Sequence, residues 1–351
     1  MSEKYVLGNT DQSDENSDLF EHFRFVVDRG QTPVRIDVFL TNRIEHVSRN
    51  KIQQTAAAGN ILVNQVAVKA NYKVKPNDTI VIVLSYPPRE VVISPEDIPL
   101  SIVYEDESLM VINKQADLVV HPGHGNFTGT LLHGLTHYFE KSGQKVENGF
   151  GYLVHRIDKD TTGLLLIAKD EFAQSKLAAQ FFRHSIDRRY LALVWGDLVE
   201  DEGTIEGNIG RSPKDRKLMA VFPEGDNGKE AITHYTVVQR FGYVTLVECK
   251  LETGRTHQIR VHFKHIGHPL FNDPWYGGDS MIKGTTFTKY KQFIDNCFKV
   301  LPRHALHAQS IGFDHPVSGK KMHFESALPD DMQQVIDKWT VYTGSRQSET
   351  D

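Results

Sequence analysis

A segment at residues 155–169, HRIDKDTTGLLLIAK, crowds ionisable side chains against an apolar run. It places Asp158 and Asp160 among basic residues and threonines, directly before residues 164–168. Because that run is short, apolar and bounded by a glycine and a lysine, we predict a strand buried on both faces. The polar cluster then lies at the end of a rigid element, a position that often carries chemistry. The alternative is a polar loop in which the two aspartates only form a turn.

A second polar cluster lies in residues 251–273, LETGRTHQIRVHFKHIGHPLFND. Arg255, His257, Gln258 and Arg260 follow one another closely near its start. An exposed basic turn would explain such a cluster without any function. The other motifs of the chain favour a functional interpretation instead.

A glycosidase is one alternative chemistry, because that reaction needs two carboxylates at a defined separation. Asp158 and Asp160 are two residues apart, so in an extended segment their side chains would point the same way. This alternative also leaves the second basic cluster without a role.

A metal site is another alternative, since 17 histidines are many. The sequence contains neither an HExxH pattern nor a cysteine positioned as a ligand. Two groups of histidines have a spacing that could suit a metal, namely His133 with His137, and His262 with His265 and His268. We expect these side chains to be hydrogen-bonded within the protein or exposed on its surface, with no metal bound.

Length and composition indicate an ordinary two-domain protein. The chain has 351 residues, of which 39% are hydrophobic and 24% charged. No apolar run approaches transmembrane length, and the first residues lack a signal pattern. Cys249 and Cys297 form no paired motif, so we expect a cytoplasmic protein without a disulfide framework.

The net charge of −5 conceals a basic module. Residues 1–21 carry six acidic side chains against one lysine, so the rest of the chain sums to zero. Residues 33–90 carry eight basic side chains against four acidic ones. We therefore predict an acidic, disordered tail ahead of a basic domain, and the overall charge does not argue against RNA binding.

Residues 34–84 are predicted to form two helices followed by a small sheet. Ser48 has the character of a helix N-cap, and glycine at position 59 ends that helix. Arg49 and Lys51 lie near the helix start and, with Arg35, are candidates to bind the RNA phosphate backbone. A solvated charged helix face is the alternative.

This region resembles the S4-type RNA-binding domain, which has the alpha-L fold. The resemblance rests on the order RxDxxL, then SR, a helix, GNILVNQ and an aspartate before the last strand. One departure is Gln65, which stands where the family has a glycine in the VNG turn.

The rest of the chain alternates short strands, turns and a few helices. Asp170 is predicted to cap a helix with Phe172, Leu177, Phe181 and Phe182 on one side. RRYLALVWG alternates as a strand that places Tyr190, Ala192 and Val194 on one face. The segments AITHYTVVQRF and YVTLVECKLE read as a strand pair joined near Gly242.

Several motifs together resemble the RluA-type pseudouridine synthases, in the longer form that carries an S4-like domain. They are HRIDKDTTGLLLIAK, RRYLALVWG, TGRTHQIRVHFKHIGHPLFND, NKQADLVVHPGHGNFTGTLLHGL and HALHAQSIGFDHP, in one order over residues 34–335. The resemblance implies an α+β fold with a mixed, largely antiparallel sheet. The predicted organisation is a disordered tail at 1–32, an S4-like domain at 33–84, a Pro-rich linker at 85–101, a catalytic domain at 102–341 and a disordered tail at 342–351.

The resemblance also implies roles for individual residues. Pseudouridine formation breaks a glycosidic bond to nitrogen, turns the uracil and rejoins it through carbon, so no cofactor is needed. The family's catalytic carboxylate matches Asp158, which would act as a nucleophile or as a base. The remaining matches are Tyr190 for proton transfer or base stacking, Arg260 as the ion-pair partner of Asp158, Arg156 for extrusion of the target nucleotide, and Arg255 and His257 for phosphate contact.

The expected substrate is structured RNA, with ribosomal RNA of the large subunit favoured over transfer RNA. We expect a monomer that needs neither a membrane nor a small-molecule cofactor. The alternative is a non-catalytic RNA-binding factor in ribosome assembly, which would have no use for the carboxylate at Asp158.

Overall fold

The chain divides into two compact units, Met1–Val91 and Val92–Asp351. No helix among the described residues is long and apolar enough to cross a membrane. The computed structural model describes residues 20–44, 47–84, 93–123, 125–146, 149–215 and 217–347.

The N-terminal unit packs two helices against a four-stranded antiparallel sheet. Its elements are β1 (Phe20–Val26), α1 (Ile36–Thr41), α2 (Arg49–Ala57), β2 (Ile61–Val63), β3 (Val66–Ala67) and β4 (Thr79–Leu84). The strand order is β1-β4-β2-β3. Ser48 caps α2 as predicted, since its hydroxyl oxygen accepts a hydrogen bond from the Lys51 N–H at 3.3 Å.

Strand β1 corrects the prediction that residues 1–32 are disordered. It pairs antiparallel with β4, and Val27, which follows it, is 1% exposed in the core of the unit. The prediction rested on the acidic residues and overlooked the alternating pattern FEHFRFV. This segment forms a strand because it pairs with β4 in the folded sheet. The acidic residues before position 20 lie outside the described part of the chain.

The turn between β2 and β3 keeps its geometry without the glycine that the family has. Asn64 and Gln65 have φ angles of 50° and 70°, both in the left-handed region. The Asn64 amide donates to Asp78 at 3.0 Å, and its carbonyl oxygen accepts from the Thr79 N–H at 2.9 Å. These side-chain bonds hold the turn and offset the strain at Gln65.

The second unit is built on a large mixed sheet. Its strands are β5 (Ile102–Glu105), β6 (Leu109–Lys114), β7 (Tyr152–Leu153), β8 (Thr162–Ala168), β9 (Asp187–Trp195), β10 (Glu202–Glu206), β11 (Asn208–Arg211), β12 (Met219–Phe222), β13 (Ile232–Arg240), β14 (Val244–Leu251), β15 (Leu306–Asp314) and β16 (Lys321–Glu325). The main order is β10-β13-β14-β9-β15-β8-β6-β5. Strands β16 and β7 pair with β15 and β8, and β11 and β12 form a separate hairpin. Among the described strands, β8 and β15 pair in parallel and the others are antiparallel, as predicted.

Helices cover both faces of this sheet and give the predicted α+β fold. They are α3 (Leu131–Ser142), α4 (Glu171–Phe182), α5 (Gln258–His265), α6 (Thr288–Val300) and α7 (Asp330–Gln347). Helices α3 and α5 share a hydrophobic cluster on one face, whereas α4, α6 and α7 pack on the other. The alternation predicted for β9 is confirmed, because Tyr190, Ala192 and Val194 face the first cluster. Every residue of β8 is buried, also as predicted.

Three boundary and packing predictions were wrong. In α4, which Asp170 caps through the Ala173 N–H at 2.7 Å, Leu177 is buried but Phe172 and Phe182 are 56% and 85% exposed. The buried stripe instead follows the i, i+4 spacing of Ala173 and Leu177. Helix α7 continues into the predicted C-terminal tail, to Gln347. The C-terminal part of the predicted linker packs against the second unit, because Ile93, Ile98 and Leu100 contact its core; residues 85–92 lie outside the described residues.

Candidate active site

The loop before β8 carries Asp158 and is held by buried groups from distant parts of the chain. Buried Lys114 donates to the Lys159 carbonyl oxygen at 2.8 Å. The Arg303 guanidinium, also buried, donates to the Asp160 carbonyl oxygen at 3.0 Å. Because two buried basic side chains donate to its carbonyl oxygens, the loop has a fixed path ahead of the strand.

A hydrogen bond between side chains adds a further restraint to this loop. Thr161 Oγ1 lies 2.8 Å from Nε2 of His304, and both residues are buried. Burial lowers the pKa of His304 well below its ordinary value, and the nearby guanidiniums of Arg260 and Arg303 lower it further. The imidazole is therefore neutral at pH 7 and serves as a hydrogen-bond partner.

Arg260, on the first turn of α5, joins Asp158 to a second carboxylate. Its Nη1 donates to Asp158 Oδ2 at 2.9 Å. Its Nε and Nη2 donate to the two oxygens of Asp273 at 2.7 and 2.9 Å. Asp273 is fully buried and also accepts from the backbone N–H groups of Trp275 and Tyr276. Asp273 thus orients the guanidinium that holds Asp158.

The charges around Arg260 compensate for its burial. Burial by itself lowers the pKa of Arg260, but its hydrogen bond and charge interaction with Asp273, together with the charge of Asp158, outweigh that effect and raise it. The aromatic rings of Trp275 and Tyr276 lie 5.9 and 5.1 Å from the guanidinium carbon. A buried cation with this many partners is a rigid support for Asp158.

Asp158 and Tyr190 line the same cleft, whose volume is about 520 Å³. The Asp158 side chain is 20% exposed and so is accessible from the cleft. Tyr190 lies on β9, between β14 and β15, and is 7% exposed. Burial raises the pKa of Tyr190, and the charge of Asp158 adds to the increase. The phenol is therefore neutral at pH 7, with a ring that borders the cleft.

His257 lies closer to the carboxylate than its predicted phosphate-binding role required. Its Nε2 is 3.8 Å from Asp158 Oδ2, and its Nδ1 is 2.7 Å from the Tyr276 hydroxyl. His257 has a left-handed backbone, with φ 56°, directly before α5. Burial lowers the pKa of His257, so a neutral ring borders the Asp158 carboxylate.

Arg156 and Arg255 complete the set of predicted residues around the cleft. Both line it, and Arg156 is exposed. The Arg255 Nε donates to the Glu230 carbonyl oxygen at 2.9 Å, which leaves its other nitrogens for a ligand. The structure thus brings together six of the predicted residues, which are Arg156, Asp158, Tyr190, Arg255, His257 and Arg260.

The three basic residues predicted to bind RNA in the N-terminal unit have different environments. Arg35 and Arg49 each donate to the fully buried Asp37, at 3.0 Å. Their side chains are 46% and 51% exposed, so each combines a structural bond with an accessible surface. Lys51 is exposed on the first turn of α2.

The sequence patterns did not identify the residues that hold the site in place from distant positions in the sequence. Asp273 ends the second polar cluster, but nothing in its spacing shows that it binds Arg260. Lys114 and Arg303 act on the loop across long sequence separations, which no local pattern reports. No group of three potential metal-binding side chains occurs in the part of the chain that the structure describes.

A mixed sheet with an arginine-bound aspartate and a buried tyrosine in one cleft agrees with the pseudouridine synthase class that the motifs resemble. The family model of RNA pseudouridylate synthases matches residues 108–265, and the S4 domain model matches residues 34–80.

Sequence similarity to known pseudouridine synthases covers most of the chain. An uncharacterized RNA pseudouridine synthase of Chlorobaculum parvum is 46% identical, over 91% of this chain and 98% of its own. Ribosomal large subunit pseudouridine synthase D of Escherichia coli strain K12 is 41% identical, over 89% and 92%. The structure of human RNA pseudouridylate synthase domain containing 1 aligns with a TM-score of 0.50 and 26% identity, over 69% and 86%. The chain belongs to the RNA pseudouridine synthase family and is an isomerase that acts on uridine in RNA.

Proposed function

We propose that the enzyme modifies uridines of large-subunit ribosomal RNA and that Asp158 is its catalytic carboxylate. The 2.9 Å contact between Arg260 and Asp158, inside an accessible cleft, is the observation that carries the catalytic assignment. The substrate assignment is supported by relatives named as ribosomal large subunit synthases at about 40% identity, such as the 41% of the Escherichia coli enzyme.

The isomerisation conserves every atom of the nucleotide, so it calls for no cofactor. Asp158 attacks the nucleotide as a nucleophile or removes a proton from the sugar as a base, while Arg260 holds it in place. Tyr190 supplies a ring against which the detached uracil stacks, or a hydroxyl for proton transfer. Because the target base must leave its stack, Arg156 at the cleft edge fills the vacated space or stabilises the extruded nucleotide.

RNA binding is assigned to side chains around the cleft and in the N-terminal unit. Arg255 and His257 contact the RNA backbone beside the cleft, and Arg35, Arg49 and Lys51 contribute from the N-terminal unit. We further propose a monomer in the cytoplasm. Both cysteines are buried free thiols, which fits a reducing compartment.

A pseudouridine map of ribosomal and transfer RNA tests both assignments. Cells that lack the gene would be compared with cells restored by wild type, Asp158→Asn or Asp226→Asn. The last variant changes an exposed carboxylate in a loop away from the cleft and serves as the matched control. We expect large-subunit sites to disappear and to return with wild type and Asp226→Asn only.

Two different results would contradict the proposal. Restoration by Asp158→Asn would remove the catalytic role of that carboxylate. Sites that change only in transfer RNA or small-subunit RNA would leave the catalytic assignment intact and overturn the substrate assignment.

A further inference from the structure

Arg188 is a buried cation in the cleft to which the proposed chemistry gives no role. It lies on β9 two residues before Tyr190, so the two side chains point to the same face of the sheet, about 7 Å apart along the strand. Arg188 is 8% exposed and lines the same cleft as Asp158. Arg188 is therefore the next residue on the same face of β9 as Tyr190, whose ring is proposed to border the target nucleotide.

The Arg188 guanidinium lacks the partners that buried arginines of this protein otherwise have. Arg260 and Arg303 each bind a carboxylate in bidentate fashion. Among the described residues no carboxylate lies within 4.0 Å of Arg188, and its Nε has no hydrogen-bond partner. Within the described part of the chain, its hydrogen bond is a long one, from Nη2 to the Thr253 carbonyl oxygen at 3.5 Å. An uncompensated buried charge is costly, which indicates a group that is completed by a ligand.

A second unpaired donor lies beside it. His155 Nε2 accepts from the Leu166 N–H at 2.9 Å, so the ring hydrogen is on Nδ1, which is buried and has no partner. Burial lowers the pKa of His155 to about 3, and the charge of Arg188 contributes, so the ring is a neutral donor at pH 7. The Phe181 ring contacts both residues, at 4.7 Å from the imidazole and 5.3 Å from the guanidinium carbon.

The open side of the guanidinium faces a glycine. A Cβ at Gly254 would lie 2.9 Å from Arg188 Nη1, and any larger side chain would occupy the approach to that nitrogen. Glycine therefore leaves this edge of the guanidinium uncovered by a side chain where it borders the cleft. A planar fork with free N–H groups matches the oxygens of a phosphate.

We propose that Arg188 and His155 form a phosphate subsite that binds the RNA phosphodiester adjoining the nucleotide held at Tyr190 and Asp158. This inference rests on the proposed function, because it takes Asp158 as the position of the target nucleotide. The subsite fixes the backbone of the extruded nucleotide, whereas the exposed basic residues only attract RNA to the surface.

Arg188→Met provides the test, with Lys289→Met on α6, an exposed cation outside the cleft, as the control. Each change would be made in an Asp158→Asn background, so that binding is measured without turnover. We expect Arg188→Met to weaken binding of an unmodified large-subunit RNA transcript by about 10- to 100-fold. The slope of log affinity against log salt should fall by about 0.7–0.9, since one phosphate contact is lost. Lys289→Met should leave both quantities unchanged.

Thermal unfolding of the RNA-free protein separates this role from a structural one. Removing an uncompensated buried charge should raise the melting temperature of Arg188→Met, whereas removing a structural arginine would lower it. Uridine 3′,5′-bisphosphate should stabilise wild type more than uridine does, and Arg188→Met should lose that difference. The bisphosphate measurement does not depend on which RNA is the substrate, so it remains informative if the ribosomal assignment fails.

The proposal is overturned if Arg188→Met binds RNA with unchanged affinity and salt dependence, or if the variant is less stable or does not fold. Equal stabilisation of wild type and Arg188→Met by the bisphosphate would overturn it as well. Arg188→Lys keeps the charge without the planar fork, and we expect it to recover the salt slope but only part of the affinity.

Discussion

Arg260 binds three carboxylate oxygens, one on Asp158 and two on Asp273, and this division of its nitrogens explains how the site is built. The bidentate bond to buried Asp273 fixes the plane of the guanidinium. The remaining nitrogen then holds Asp158 at the edge of the cleft, where one carboxylate face stays accessible. A single arginine thus links a residue that supports the fold to a residue proposed to act on RNA.

At this scale we predict that Asp273→Asn lowers kcat far more than it changes RNA affinity. An asparagine at position 273 keeps the volume but loses the charge that orients Arg260, and Asp158 then shifts from its position. Misplacement of a reacting group by about 1 Å can cost on the order of 100-fold in rate. Single-turnover kinetics and RNA binding should be measured with Asp226→Asn as the control. An unchanged kcat would show that Arg260 is held without Asp273.

At the scale of elements, the parallel pair of β8 with β15 determines where the loop that carries Asp158 ends. Gly163 on β8 has a φ angle of +110° and lies opposite Ala308 on β15. A Cβ at this position would lie 2.2 Å from the Ala308 carbonyl oxygen. The two backbones therefore approach more closely than any side chain permits, and this contact lies a few residues after Asp158.

We accordingly predict that Gly163→Ala destabilises the second unit severely, by more than about 4 kcal/mol, or prevents its folding. Gly319→Ala is the matched control, because Gly319 also has a positive φ, of +67°, but its Cβ would meet nothing within 4 Å. That control should cost only about 1–2 kcal/mol. Urea unfolding of both variants measures the difference. Similar losses for the two glycines would mean that backbone strain, and not the close approach, matters at position 163.

At the scale of the whole molecule, each unit has a hydrophobic core of its own. Twelve of the described residues are buried in the core of the N-terminal unit, and separate clusters form the core of the second. The N-terminal core is joined to a charged centre, in which Arg35, Arg49 and Gln53 all donate to Asp37. Burial by itself raises the pKa of Asp37, but these bonds outweigh it and hold the pKa well below its ordinary value.

We therefore predict two unfolding transitions, of which only one responds to Asp37→Asn. Hydrogen bonds to a charged group contribute about 1.5–3 kcal/mol. The variant should therefore lower the free energy of unfolding of the N-terminal unit by roughly that amount at pH 7. Because the folded pKa of Asp37 is depressed, its contribution is complete above about pH 4, near its unfolded pKa, and is lost as the pH falls further. The difference between wild type and variant should thus shrink as the pH falls below about 4.

Calorimetry at several pH values measures this dependence, with Asp28→Asn as the control because the Asp28 side chain is 81% exposed. A difference that is constant with pH would exclude the charge of Asp37 as the cause. A change in both transitions would contradict independent folding of the two units.

The sequence by itself determined the features that depend on neighbouring residues. Ser48 and Asp170 cap helices, β8 is buried on both faces, and β9 alternates between two cores, because capping, burial and strand periodicity are read within a few positions. The family and the positions of Asp158, Tyr190 and Arg260 in its motifs were also evident, since those motifs occur in a fixed order.

Only the tertiary structure decided which charges meet. Asp273 binds Arg260, Lys114 and Arg303 hold the loop that carries Asp158, and β1 joins the N-terminal sheet. Arg188 has no carboxylate within 4.0 Å in the part of the chain that the structure describes. The physical reason is that pairing and burial of a charged group depend on chain segments far apart in sequence. Local patterns record the type of each residue, but the free energy of a buried charge is determined by the partners that folding brings to it.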